Sequence, residues 1–136
     1  MVALAKARNT PSRLNAVSEV PVKAGARIFQ GALVAIGADG FAVPMSTATT
    51  LKGIGRAEAA ADNTAGANGA ISVRVDRGVF RWANSASADL ITRADITNPC
   101  YGVDDQTVAK TTGSNTRSIA GTIYDVDDQG VWVRHG

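Results

Sequence analysis

Residues 71–82 read ISVRVDRGVFRW, and the fold class turns on this stretch. From Ile71 to Val75 apolar and polar residues alternate, with Ile71, Val73 and Val75 on one face and Ser72 and Arg74 on the other. A period of two is the signature of a half-buried β-strand. Asp76, Arg77 and Gly78 interrupt the pattern, and Val79, Phe80 and Trp82 resume its apolar content. A glycine inside such a run predicts a bulge or bend rather than an end. No catalytic chemistry is written here; the stretch reads as scaffold.

Working outward, the same grammar recurs. Residues 28–36 (IFQGALVAI) and 41–44 (FAVP) flank the turn-forming GADG and predict a hairpin. Residues 53–60 (GIGRAEAA) predict a glycine-led strand pairing with 71–75, and DNTAGANG at 62–69 an exposed loop. A second hairpin is expected over 100–109 around Asp104, Asp105 and Gln106. A strand over 117–126, the turn DDQG at 127–130 and a closing strand at 131–133 follow. Thr92 and Asp95 are spaced as the N-cap and third position of one short helix. Hairpin, polar connection, glycine-led strand and return strand thus occur twice, a weak internal repeat. The expectation is an all-β chain with at most one short helix: a compact barrel or sandwich of short antiparallel strands.

Residues 1–24 differ in character. They are polar and mildly basic, with Pro11 and Pro21 as breaks, and residues 16–22 fit an edge strand or an extended arm. The predicted organisation is an extended N-terminal arm over 1–24 and one β-rich domain over 25–136.

Composition narrows the function. The 136 residues carry a net charge of +2, with 19% charged and 5% aromatic residues, so Val, Ile, Leu and Ala must supply the core. The basic residues are scattered rather than striped, which does not call for nucleic acid. No apolar run approaches the roughly 20 residues of a membrane span, and the first residues lack the apolar segment of a secretory signal. The expected setting is a soluble protein made in a cytoplasm. One cysteine, Cys100, gives no disulfide framework and reads as a buried thiol.

A catalytic site should leave a nucleophile, a base and a stabilising group in reach of one another. The one histidine, His135, sits beside the chain end, where fraying argues against precise geometry. Cys100 has no activating partner near it in sequence. The acidic turn at 125–130 lacks the ligand ladder and closing Glu of a calcium loop, and both it and the turn at 104–105 read as carboxylates capping backbone amides, with weak divalent-ion binding as the alternative where the two turns converge. Gly53 and Gly55 lack the third glycine and the helix of a dinucleotide fingerprint. No catalytic, metal or cofactor residues are expected. Arg74, Arg77 and Arg81 with Trp82 read as the solvated face and flanks of a strand.

The stretches KAGARIFQGALVAIGADGFAVP, GIGRAEAA, ISVRVDRGVFRWAN, TRADITNPCYGVDDQTVAK and AGTIYDVDDQGVWVRHG together resemble the small capsid decoration, or cement, proteins of tailed bacteriophages. The resemblance spans residues 23–135 and rests on patterns of Gly, Val and Asp. It implies a β-rich body bound to the outside of an icosahedral head, on the virion surface. The partners it implies are the major capsid protein and further copies of the chain, commonly as a homotrimer, with no cofactor. Arg8, Arg13 and Lys23 in the arm, with Phe80 and Trp82, are the expected capsid or subunit contacts, since Trp and Arg are enriched at interface hot spots; core packing is the competing fate of Trp82. A different virion or tail module that binds a receptor or glycan remains the alternative, with Tyr101, Tyr124, Trp82 and Trp132 as the material for an aromatic platform. An enzyme or enzyme-inhibiting domain is disfavoured.

Overall fold

The computed structural model describes residues 2–11 and 17–136. Twelve strands run in chain order: β1 (Val17–Pro21), β2 (Arg27–Ile28), β3 (Leu33–Ile36), β4 (Ala42–Pro44), β5 (Lys52–Ala57), β6 (Ala61–Asp62), β7 (Ser72–Asp76), β8 (Val79–Trp82), β9 (Pro99–Gly102), β10 (Val108–Ala109), β11 (Ile119–Asp127) and β12 (Gly130–Arg134). All sheet ladders are antiparallel, as the alternating patterns predict. The expected short helix is one 3₁₀ turn, Arg93–Asp95, and a second such turn spans Ser87–Asp89. In the former, the Asp95 carboxylate accepts the Thr92 N–H at 2.8 Å, the cap that the spacing predicts.

Two five-stranded sheets have the same strand order. One is β1-β7-β5-β3-β4 and the other β8-β12-β11-β9-β10, while β2 and β6 form a separate ribbon. Each sheet curls until its two edge strands meet at a single parallel bridge, Val22 with Ala42 and Ala83 with Thr107, short of a closed barrel. The registers make the likeness residue-specific. Val34 opposes Gly55 as Cys100 opposes Gly121, and Ala57 opposes Val75 as Ile123 opposes Val133. Ile54 and Ala120 occupy the same bulge in their respective strands. Even the crowding matches. A Cβ on Gly55 would meet the Asp76 carbonyl and Val75 Cγ1, and one on Gly121 the Arg134 carbonyl and Val133 Cγ1. The weak repeat in the sequence is therefore a repeat of one five-strand unit.

Residues 71–82 depart from expectation at Gly78. The run does not bend and continue within one sheet. It ends as β7 in the first unit and restarts as β8 in the second, with Arg77 and Gly78 as the crossing. Alternation fixes which side chains face a core but not which core they face. The predicted hairpin over 28–44 also divides, because Gly31 takes a φ of +86° and turns the chain between β2 and β3. The arm boundary at residue 24 moves as well. Residues 17–21 form β1, paired with β7, and Val20 and Val22 are buried in the first core, so this part of the expected arm belongs to the body.

The units are joined through β3. Val34 points into the first core with Ile28, Ala57, Val73 and Val75. Leu33 and Ala35 point into the second with Trp82, Cys100, Val108, Ile123, Val131 and Val133. Backbone bonds across the seam add direction: Leu33 N–H donates to the Asp105 carbonyl at 2.8 Å. Ser118 Oγ accepts the Leu51 N–H at 3.1 Å and donates to the Ala48 carbonyl. At Gly53 the backbones are closest, since a Cβ there would lie 2.3 Å from the Ala120 carbonyl oxygen. Neither partner atom belongs to a flexible side chain, so the units would have to separate. Gly53→Ala is expected to destabilise the fold by about 1–3 kcal/mol, the usual cost of overpacking, read by chemical denaturation; an unchanged midpoint would refute the close seam.

Candidate functional site: an aromatic and arginine groove between the units

The seam leaves a groove of about 440 Å³ on the surface, with Gly31 and Arg56 on one bank and β8, from Val79 to Trp82, and Trp132 on the other. Strand alternation sends Phe80 and Trp82 toward the second core and Val79 and Arg81 to the outer face. The Arg56 guanidinium lies over the Phe80 ring at 4.3 Å. The same guanidinium pairs with Glu58 at 2.7 Å and Asp76 at 3.8 Å, all three half-exposed, where ion pairs contribute little stability. Their effect is orientational: the cation is held over the ring. On β8 and β12, Arg81 and Trp132 are opposed in register, and the Arg81 guanidinium sits 5.6 Å from the Trp132 ring centre.

Asp127 completes this outer corner. Its carboxylate accepts Trp132 Nε1–H at 2.9 Å and the amides of Gln129 and Gly130 at 2.8 and 3.1 Å. The Trp132 hydrogen bond, then the turn amides, hold its carboxyl below the usual range. Asp104 likewise accepts the Gln106 amide at 2.9 Å. Both acidic turns thus cap backbone, and among the described residues no three His, Cys, Asp or Glu side chains gather to hold a metal ion.

Of the expected contact residues, Phe80 lies half-buried in the groove. Trp82 is only 5% exposed and belongs to the second core. Arg8 is exposed in the N-terminal segment, and Arg13 lies outside the described residues. Lys23 is elsewhere, paired with Asp39 at the rim of a second, more apolar groove of about 550 Å³ beside Val43, Pro44 and Leu51. That pairing, with the Phe41 amide, lowers the Asp39 carboxyl. Of the four that lie among the described residues, Phe80 and Trp82 both line the groove, and Arg8 and Lys23 do not. Gly31, Arg56, Arg81 and Trp132 were not among the expected contacts. Arg56 and Phe80 are far apart in sequence, and the Arg81–Trp132 pair follows only once the β8–β12 register is known.

Behind the groove, His135 is not frayed. It is 3% exposed, accepts Trp82 Nε1–H at 3.0 Å through Nε2, and places Nδ1 2.9 Å from the Ala120 carbonyl. An Nδ1–H tautomer satisfies both contacts: one nitrogen donates and the other accepts. Burial pushes the His135 pKa down to about 4. Cys100 is also buried, its thiol raised to about 12 by desolvation, with Sγ 3.7 Å from the Gly121 carbonyl. A protonated, enclosed thiol is a core group and a poor nucleophile. No helix among the described residues is long and apolar enough to cross a membrane.

No family model matches the chain, and neither the search of curated proteins nor that of solved structures finds a match.

The neutral histidine makes stability depend on pH. Its folded pKa of about 4 lies below the ordinary value of 6.5. The unfolded chain therefore binds the proton first, and stability falls as pH drops below 6.5 and levels off below 4. The full loss is about 3 kcal/mol. The lowered carboxyls of Asp39, Asp95 and Asp127 contribute stability that is lost only below about 3.8, so the histidine range stands apart. Urea melts from pH 7 to 4 are expected to show this decline, and His135→Gln to flatten it; a parallel decline in the variant would refute the assignment.

Proposed function

We propose that this protein is a capsid decoration protein of a tailed bacteriophage, binding the outside of the head and bridging major capsid subunits. The observation that carries this reading is the resemblance of residues 23–135 to such proteins, whose recurring Gly, Val and Asp positions fall on the turns and strands of the two units. Several features of the chain support it. The body is a small β module whose two units pack through a strand with both faces buried. Large apolar groups stand exposed at separate places, among them Val2, Leu4, Phe29, Ile119 and Tyr124. Contacts that are modest singly add up when repeated over a closed shell.

One groove also fits the alternative of a glycan-binding module. Trp132, fixed by Asp127 and flanked by Arg81, presents an aromatic surface beside polar groups. Trp82, being enclosed, does not contribute to such a platform.

The two readings separate in one comparison. Purified expanded heads mixed with the protein are expected to carry it down in sedimentation at a saturating, fixed number of copies per head. Truncation of residues 2–11, which leaves β1 intact, is expected to lower head affinity at least about tenfold if the exposed segment contributes two or three small contacts. Full-length protein left in the supernatant would overturn the decoration reading. Retention on a glycan array that Trp132→Ala abolishes would establish the other.

A further inference from the structure

We propose that the N-terminal segment, from Val2 to Arg8, of a second copy of this chain adds as a strand along the open edge of β8. Three observations meet there. The first is the edge itself. β8 ends its sheet, paired only with β12. Gly78 accepts the His135 amide at 2.8 Å, and in an alternating antiparallel ladder Phe80 and Trp82 then bond β12 as well. The N–H and C=O of Val79 and Arg81 therefore face away from β12. Beyond them Ala83 is tied down, its N–H on the Gln106 carbonyl and its C=O on the Val108 amide.

The second observation is a groove beside this edge. The hollow at β8 and a neighbouring one between Phe29 and Gln106 both border Gly31. Asp105 lines the second hollow, and neither Asp104 nor Asp105 has an ion-pair partner among the described residues.

The third is the segment that would fill it. Residues 2–11 are exposed throughout, and among the described residues they make no hydrogen bond with the body. Val2 is 97% and Leu4 74% exposed, and the two alternate as strand residues do, followed by the cations Lys6 and Arg8. Laid parallel to β8, Val2 to Leu4 match the free backbone groups of Val79 and Arg81, and Lys6 and Arg8 arrive at Asp104 and Asp105. Strand addition of this kind draws affinity from main-chain bonds and register from the flanking side chains. The inference concerns the free protein and does not need the capsid reading.

The test is sedimentation velocity on the full chain without heads, over a wide concentration range. Self-association is expected, and removal of residues 2–8 should leave a monomer. Lys6→Glu with Arg8→Glu should weaken association about tenfold or more, as reversal of complementary charge does. Adding Asp104→Lys with Asp105→Lys should restore it, a rescue that a misfolded variant cannot give. A full chain that stays monomeric throughout would overturn the proposal, as would assemblies unaffected by the truncation. Amide-exchange protection of residues 2–5 in a monomer would overturn it too, because the segment would then occupy its own body.

Discussion

Strand β3 carries a double burial on which the rest of the structure depends. Val34 fills the first core while Leu33 and Ala35 fill the second, so four residues serve two hydrophobic interiors at once. Burying both faces of a strand removes the polar outer side that an antiparallel sheet ordinarily shows to water. Here the second unit takes the place of that water. The cost falls on the backbone. Glycine is required at Gly53 so that β5 and β11 can approach, and hydroxyl and amide groups from Ser118, Leu51 and Leu33 pair across the seam. Neither curled sheet is a closed barrel, and each has its edges joined by one bridge.

The repeated unit also explains where the two halves differ. Equivalent places carry Val20 and Trp82, both opposite a valine of the return strand and both facing a core. The larger ring fills the second interior but brings a buried N–H that needs an acceptor. His135 supplies it, and the Ala120 carbonyl fixes the histidine in turn. A residue at the chain end thus becomes a core group. The first unit, with valine at that place, uses Ile28 and Ala61 from the β2–β6 ribbon to fill its interior instead.

Outside the cores the charged residues serve mainly to orient. Arg56 and Arg81 lie on aromatic rings, Arg56 also pairs with Glu58 and Asp76, and Asp127 accepts the Trp132 indole N–H. The loop at 62–69, which its composition marks as exposed, is fastened from inside. Asn63 is buried and donates to the carbonyls of Val22, Lys23 and Ala67 at 3.1, 3.1 and 2.9 Å. That single amide ties the end of β1 to the loop.

Much of the local structure was legible in the residues. Alternation marked β7, β11 and β12, GADG and DDQG marked their turns, and Thr92 with Asp95 marked the cap. These signals are local, set by side-chain period and backbone freedom within a few residues. The groove was not legible: Phe80 was singled out without Arg56, and Trp82 was weighed between an interface and the core, where it lies, while Trp132 lines the groove. The sequence alone determined an all-β chain built from a repeated succession of hairpin, glycine-led strand and return strand. Only the tertiary structure decided that residues 71–82 divide between two sheets, that β3 is buried on both faces, and that His135 is enclosed. Period two states that a side chain faces inward, but which interior it enters depends on contacts between strands far apart along the chain.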